Sequence, residues 1–352
     1  MKVCKQCGVP RPISRYHTWT NDGRLLTRDN RQRLVIVERA LMARIFESLG
    51  EDLEGRTFEV LQGTKAFDAK IYVQGLMGRK IFIMRRFLTT RRMLLDQLVE
   101  FARVLGMARI EVLEYRGDGT THLRCYDCYQ RDFLLGDILG GYLALEGKPF
   151  ESRIEEGEGY FDILIEALNG REDPTLEFSY KPEEPAIGYL GYKTCRKCGT
   201  PLPVSFFHWD LEQGTVRDTR SGQNVVFIDT IGINMAIEKM KADYQEAGGE
   251  DLEHLLARNT KLVVDSLIPL MDWKHRRPEE QVRDLFFLAF RGMGNPIFTE
   301  PVDNGVKVRV ENPYSYPMVA GIVASFIAKD RPSDFTWSRV AESRLEVIIR
   351  YR

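Results

Sequence analysis

The chain carries the stretch CKQCGVPRPISRYH at residues 4–17 and a second version of it, CRKCGTPLPVSFFH, at residues 195–208. Both versions follow the pattern Cys-x-x-Cys-Gly-x-Pro-x-Pro-x-Ser-x-aromatic-His without a gap, and they lie 191 residues apart. Solenoid repeats have periods of roughly 20–50 residues. The spacing therefore indicates a duplicated domain.

The duplication continues beyond these stretches. Both copies reach an apolar run, at 34–37 and 225–228, and later the sequence Gly-Glu-Asp-Leu-Glu, at 50–54 and 249–253. Each copy then ends a predicted helix at Gly-Met, continues into a hairpin with an Asp-Gly or Asn-Gly turn, and finishes with a glycine-bearing helix and a strand. This order predicts an α+β fold in which each unit is an antiparallel sheet covered by helices.

The repeat also predicts the division of the chain. A length of 352 residues fits about two domains at roughly 150 residues each. We expect a first unit at residues 1–170, a proline-containing linker at 171–190 and a second unit at 191–352. The two units are expected to form an intramolecular pseudo-dimer, because a two-fold arrangement would bring their equivalent ends together.

The composition is that of a globular protein without a strong charge. Hydrophobic residues make up 43%, charged residues 29%, and the net charge is −1, so no overall field attracts nucleic acid or anionic lipid. No apolar run approaches the roughly 18 residues of a membrane helix, and the first residues lack the apolar segment of a signal peptide. We therefore expect no membrane span and a cytoplasmic location.

All six cysteines occur in Cys-x-x-Cys pairs, namely Cys4/Cys7, Cys125/Cys128 and Cys195/Cys198. In a reducing compartment such pairing favours metal binding over disulfides. Each pair offers half of a tetrahedral zinc site, and the glycine after the first and third pairs allows the tight turn of a zinc knuckle. The favoured prediction joins Cys4/Cys7 and Cys195/Cys198 through one zinc ion, because both copies keep the full knuckle.

Other metal arrangements stay open. Cys125/Cys128 can pair locally with Cys4/Cys7 or form a separate feature. His17 and His208 can be third ligands of two separate sites, although hydrogen bonding within their aromatic segments is the simpler explanation. A closed four-thiolate site is structural and not catalytic. The Gly-x-Pro-x-Pro sequence after the knuckle cysteines argues against thioredoxin-like redox chemistry.

A basic stretch interleaved with apolar residues covers positions 78–92. Such a pattern can bind phosphate backbones, and its basic residues are Arg79, Lys80, Arg85, Arg86, Arg91 and Arg92. The simpler interpretation is a surface element whose arginines are solvated or paired with acids, and the net charge of −1 also disfavours a nucleic-acid partner. The chain has no Gly-x-Ser-x-Gly or phosphate-loop motif, so no sequence motif commits it to catalysis.

The order of elements resembles the 4-vinyl reductase domain family. These domains are sensory modules of phenol-responsive bacterial regulators and share a fold with subunits of the TRAPP trafficking complex. The resemblance covers most of both units and rests on residues 33–38, 105–112, 136–142 and 145–148 and, more loosely, 292–297 and 317–324. In that family a late segment carries zinc-binding cysteines. The corresponding residues 154–161 and 339–345 contain none, which implies that the family's own metal site is lost here.

The resemblance implies an apolar pocket in each unit, under the helices and against the sheet. Such a pocket suits a small aromatic or lipid-like molecule. Its expected lining is Met77, Phe82, Met84 and Phe87 in the first unit and Phe286, Phe287, Phe290 and Met293 in the second. The same side chains can also simply fill the core.

Three functions follow as expectations. The favoured one is a non-enzymatic, zinc-containing protein with a sensory or regulatory role, which binds a small hydrophobic ligand, a partner protein or both. The second is a reductase-like enzyme or cofactor-pathway accessory, which needs titratable groups converging on the pocket. The third is a zinc-knuckle adaptor for nucleic acid or an assembly partner, and strong salt dependence of binding would distinguish it.

Overall fold

The structure is a computed structural model, and it describes residues 2–28, 31–52, 57–78, 87–168, 181, 183–246, 251–267, 285–328 and 331–352. The helices are α1 (Arg11–Tyr16), α2 (Arg39–Asp52), α3 (Thr57–Met77), α4 (Leu88–Val104), α5 (Arg131–Glu146), α6 (Thr230–Glu246), α7 (Leu252–Leu267), α8 (Phe287–Phe290) and α9 (Tyr316–Ala328). Within these ranges no helix is both long and apolar enough to pass through a bilayer.

The strands belong to three sheets. They are β1 (His17–Trp19), β2 (Leu25–Thr27), β3 (Arg33–Glu38), β4 (Arg109–Tyr115), β5 (Thr121–Tyr126), β6 (Phe150–Gly157), β7 (Tyr160–Ala167), β8 (Phe207–Asp210), β9 (Thr215–Asp218), β10 (Asn224–Asp229), β11 (Asn295–Val302), β12 (Gly305–Glu311), β13 (Ser333–Ala341) and β14 (Arg344–Tyr351).

All neighbouring strands in these sheets run antiparallel. A six-stranded sheet, β1-β2-β3-β10-β9-β8, takes three strands from each unit. The later part of each unit builds its own four-stranded sheet, β4-β5-β7-β6 in the first and β11-β12-β14-β13 in the second. The predicted α+β class with antiparallel sheets and helices is confirmed. The two-fold pseudo-dimer and the domain boundaries stay predictions.

The six-stranded sheet is continuous because β3 and β10 pair at its centre. Val35 lies opposite Ile228, and Ile36 lies opposite Phe227. These side chains are all buried, as expected for an uninterrupted apolar strand that is covered on both faces. Separating the two units would leave without partners the backbone N–H and C=O groups that join β3 to β10.

Small residues bring the later helices close to their neighbours. A β-carbon at Gly140 on α5 would lie 2.2 Å from the carbonyl oxygen of Ala66 on α3. A β-carbon at Gly321 on α9 would lie 2.4 Å from the carbonyl oxygen of Ala257 on α7. The close packing of both helix pairs therefore depends on glycine having no side chain. Helices α3 and α5 also line a cavity in the first unit.

The hairpin β1–β2 packs on the second unit, and the hairpin β8–β9 packs on the first. The indole N–H of Trp19 donates to the carbonyl oxygen of Phe290 at 2.7 Å, and the indole N–H of Trp209 donates to that of Val104 at 2.9 Å. Each unit therefore donates an indole hydrogen bond to the segment that precedes the four-stranded sheet of the other unit.

Gly292, at the turn in one of these segments, is expected to tolerate no side chain. Its φ is +75°, and a β-carbon there would lie 2.6 Å from the carbonyl oxygen of Leu34 and 2.8 Å from the β-carbon of Leu25. We expect Gly292→Ala to lower the free energy of unfolding by about 3 kcal/mol or more, because left-handed strain adds to a backbone clash.

The control for Gly292→Ala is Gly159→Ala. Gly159 has the same φ of +75°, with no atom within 4 Å of its added β-carbon. This variant therefore measures the left-handed strain alone, about 1–2 kcal/mol. Urea unfolding of both variants gives the comparison, and equal losses of stability would contradict the close contact between the hairpin and the turn.

Candidate functional site

The two zinc-knuckle motifs meet at one point. The sulfur atom of Cys4 lies 3.8 Å from that of Cys195, and the sulfur atom of Cys7 lies 3.4 Å from that of Cys198. All four sulfur atoms lie within 4.8 Å of one another. Four thiolates held tetrahedrally at about 2.3 Å from zinc have sulfur atoms about 3.8 Å apart. The arrangement therefore fits a closed four-cysteine site.

The two motifs present their sulfur atoms through the same backbone turn. The N–H of Gly8 donates to the carbonyl oxygen of Cys4, and the N–H of Gly199 donates to that of Cys195, each at 2.9 Å. Backbone N–H groups of Gln6 and Cys7 also approach the Cys4 sulfur and lower the pKa of this thiol to about 6. A lowered thiol pKa favours the thiolate form that binds metal.

The third cysteine pair lies apart from this group. Cys125 is buried in β5, and burial raises the pKa of its thiol. Burial also raises the pKa of the half-buried Cys128. In the described ranges, Cys4, Cys7, Cys195 and Cys198 form the one group of side chains close enough to hold a metal ion.

His17 and His208 differ in burial and in their contacts. The Nδ1 of His17 lies 3.1 Å from the carbonyl oxygen of Ile13 and therefore donates its proton, while Nε2 accepts from the Tyr72 hydroxyl, also at 3.1 Å. Burial lowers the pKa of His17 to about 4, so the ring is neutral. His208 is exposed. Their role as third ligands stays an untested prediction.

A cavity lies in the first unit between helices α3, α4 and α5 and the strands β4, β5 and β7. The centre of a water-sized sphere can reach about 90 Å³ of it, roughly six to nine times the space that one water molecule needs. Most of the lining is apolar, with side chains such as Val73, Leu98, Leu123 and Ile165. Small-molecule sites are typically apolar clefts with a few convergent polar groups.

One part of this cavity is acidic. Asp137 on α5 and Asp229 at the end of β10 both line it, and they lie 3.3 Å and 3.6 Å from the ammonium nitrogen of Lys65. The fully buried Asp68 lies 3.1 Å from the same nitrogen. Three carboxyl groups therefore surround one cation, and we call these four residues the acidic cluster.

The pKa values of the cluster reflect burial and crowding. Burial raises the pKa of Asp229 well above its usual value, and the charges of Asp68 and Asp137 raise it further against the opposing effect of Lys65. Burial also raises the pKa of Asp137, to about 6, although Lys65 opposes it. Burial lowers the pKa of Lys65, but the three carboxylates outweigh burial and raise it. Lys65 therefore stays charged while Asp137 titrates.

The cluster joins elements from both units. Asp68 on α3 accepts the backbone N–H of Gly232 on α6 at 3.0 Å and the side-chain amide of Gln32. Tyr129 donates its hydroxyl to Asp137 at 2.8 Å. The sequence predictions did not include the cluster. The available signal was a carboxylate, Asp137, within the apolar, glycine-bearing stretch 133–145 of α5.

The corresponding space in the second unit is small where the described residues 251–267 and 285–328 bound it. Among the described residues it offers about 10 Å³ to the centre of a water-sized sphere, which is about one water molecule. Phe287, Met293 and Phe326 line it, together with Glu38 from β3 of the first unit. Glu38 is ion-paired with the buried Arg291, so its charge is compensated there.

The predicted lining residues lie in several different places. Met77 packs against a small apolar cluster that includes Leu95, but Met77 itself does not line the first-unit cavity, and Phe87 is 62% exposed. Phe82 and Met84 lie outside the described residues. In the second unit Phe286 is 40% exposed and Phe290 is buried, while Phe287 and Met293 line the small space. Ligand binding by these residues stays a prediction.

Part of the basic stretch is visible, and its arginines are paired. Arg91 forms an ion pair with Glu146, and Arg92 lies 3.1 Å from Asp96. Arg79, Lys80, Arg85 and Arg86 lie outside the described residues. The pairing agrees with a surface element, and a nucleic-acid partner has no support from these contacts.

Comparison with known proteins found one weak structural similarity. No protein-family model matches the chain, and no curated protein matches it. Among solved structures, the chain is weakly similar to the phenol-responsive sensory domain of the transcription activator PoxR, crystallised with phenol. The two share 18% identity over 47% of this chain and 92% of that one, with a TM-score of 0.34. This value does not establish a common fold, and the 4-vinyl reductase resemblance stays a prediction.

Proposed function

We propose that this protein is a zinc-containing binding protein that holds a small hydrophobic or aromatic molecule in the first-unit cavity. The observation that carries the proposal is the cavity itself, with about 90 Å³ of reachable space. Its walls are apolar, and polar groups converge on one part of it, as in typical ligand sites.

The proposed zinc is structural. Cys4, Cys7, Cys195 and Cys198 would supply four thiolates and leave no open coordination position, so the ion would stabilise the fold and would not act on a substrate. Because each unit supplies two ligands, the metal would hold the two knuckles together. A reducing, cytoplasmic setting suits such thiolates.

A sensory or regulatory role is supported by how the cavity is built. Asp229 reaches the first-unit cavity from β10, a strand of the second unit. A bound molecule would therefore contact both units and favour the arrangement in which they are docked. A ligand can shift a conformational equilibrium only through such differential contacts.

The expected number of ligand molecules per chain follows from the different sizes of the two cavities. The part of the second-unit space that the described residues bound has room for about one water molecule. We therefore expect one ligand per chain, which native mass spectrometry of the protein purified without added ligand would measure together with its zinc content.

Filling the cavity should weaken ligand binding. Ala102 lines it from α4 and is half-buried, so Ala102→Phe should reduce ligand affinity by at least about tenfold while leaving the melting temperature within a few degrees, because the ring occupies existing space. The same change at the exposed Ala242 on α6 is the control. Isothermal titration with a small aromatic probe measures both, and unchanged affinity in Ala102→Phe would place the ligand elsewhere.

An acid–base enzyme is the second candidate, favoured by the acidic cluster. Asp137 has a pKa of about 6, which suits proton transfer near neutral pH. Lys65, however, is held protonated between its acids and is not available as a base. Incubation with the co-purified molecule, followed by mass spectrometry, would separate the candidates, because an enzyme releases a changed product and a binding protein releases the same molecule.

A further inference from the structure

We propose that the ligand of the first-unit cavity is a small organic amine, with its ammonium group at Asp229 and Asp137 and its apolar part along α4 and α5. The proposal deepens the proposed function and rests on it. It is carried by the charge balance of the acidic cluster, by one unpartnered carboxylate oxygen, and by the shape of the apolar walls.

The acidic cluster contains three carboxyl groups and one cation. Lys65 is the cation that the described residues place in it, and it is shared by Asp68, Asp137 and Asp229 at 3.1, 3.3 and 3.6 Å. Buried carboxylates are destabilising unless they are paired and hydrogen-bonded. Burial and this crowding raise the pKa of Asp229 and favour its protonated form. A second cation in the cavity would stabilise the ionised form of Asp229, whereas an anion would add to the repulsion.

Asp229 shows where this second cation would lie. Its side chain is 3% exposed, and its Oδ1 atom is buried without a hydrogen-bond partner among the described residues. The carboxylate lines the cavity, and its distance of 3.6 Å from the Lys65 nitrogen is longer than a normal hydrogen bond. An ammonium donor entering from the cavity side would satisfy this oxygen.

The cavity walls determine the size and polarity of the rest of the ligand. Leu98 and Ala102 on α4 and Ile138 and Gly141 on α5 leave an apolar space beside the acidic cluster. About 90 Å³ of reachable volume admits a single ring or a short chain. The two requirements together describe a compact apolar amine, such as an arylalkylamine with one ring.

The test compares two probes of the same shape, benzylamine and benzyl alcohol, by isothermal titration at pH 7.5. We expect benzylamine to bind at least about tenfold more tightly, as a charge-assisted hydrogen bond would give. Asp229→Asn should remove this difference and leave the binding of benzyl alcohol within about threefold. Asp96→Asn, at a side chain that is 53% exposed, is the matched control and should change neither.

Proton linkage gives a second readout on the unchanged protein. Lys65, Asp68, Tyr72 and Tyr129 face the two acids from α3 and from the segment before α5. Because Asp137 loses its proton near pH 6, benzylamine affinity should rise between pH 5 and pH 7.5, while benzyl alcohol affinity stays level. This series decides the question if Asp229→Asn does not fold.

The outcomes separate the two proposals. Benzyl alcohol binding as tightly as benzylamine, or a level pH series for the amine, would overturn the amine and leave the cavity as a site for neutral molecules. If neither probe binds, and no apolar molecule co-purifies with the protein, the proposed function fails as well.

Discussion

Cys195→Ser is expected to remove the zinc and destabilise the whole protein. The substitution leaves three thiolates, and the lost ion would have joined the two units at their knuckles. Structural zinc sites contribute about 10–16 kcal/mol of binding free energy at neutral pH, so a loss of several kcal/mol of stability is expected. We expect the melting temperature to fall by about 10 °C or more and the zinc content to fall from one ion per chain to nearly none.

The control for this prediction is Cys128→Ser. Cys128 lies outside the four-cysteine group, so the variant should keep its zinc and melt close to the unchanged protein. Metal analysis and differential scanning calorimetry on the same samples give both readouts. Zinc lost from Cys128→Ser but retained by Cys195→Ser would show that the local pairing of Cys125/Cys128 with Cys4/Cys7 is the correct one.

Lys65→Met is the second change with a large expected effect. Lys65 is 1% exposed and compensates three buried or nearly buried carboxyl groups. Removing one partner of a buried ion pair costs about 3–5 kcal/mol, because the remaining charges lose their compensation. We expect the free energy of unfolding, measured in urea at pH 8, to fall by this amount.

The penalty of Lys65→Met should depend on pH. A carboxyl group whose pKa is raised on folding binds protons more tightly in the folded state, so it destabilises the fold as pH rises. Asp137 already has a pKa of about 6, and loss of the lysine raises it further. The penalty should therefore be smaller at pH 5 than at pH 8. Lys148→Met, at an exposed lysine, should show a small effect at both pH values, and a pH-independent penalty would contradict the account.

The sequence predicted the parts of this molecule that depend on local spacing. Cys-x-x-Cys-Gly occurs twice, and identical turns at Gly8 and Gly199 present the sulfur atoms in the same way. The apolar run at 34–37, which the repeat contains a second time at 225–228, forms the buried part of a strand in each case. These features follow from residues within one turn or one strand, where patterns of spacing are informative.

The acidic cluster could not be predicted in this way. Lys65, Asp137 and Asp229 lie on different elements, and the sequence does not state which elements meet. A charged residue in a helix is usually solvated, so Lys65 and Asp68 at a spacing of three resemble an ordinary surface pair. Only the docking of β10 and α5 on α3 turns them into a buried group. Similarly, a repeat predicts two units but does not predict that the first hairpin of each unit will pack on the other unit.

The central pairing of β3 with β10 affects how the protein is made. Residue 38 leaves the ribosome 191 residues before residue 229, a delay of about 10–40 s at bacterial and eukaryotic rates of synthesis. During this time the strand Arg33–Glu38 can pair only with β2, and its other edge has no partner, although its residues 34–38 are buried in the finished protein. The nascent first unit therefore has a prolonged need for a chaperone, and a stop codon anywhere before residue 229 would release a chain with an open, apolar sheet edge.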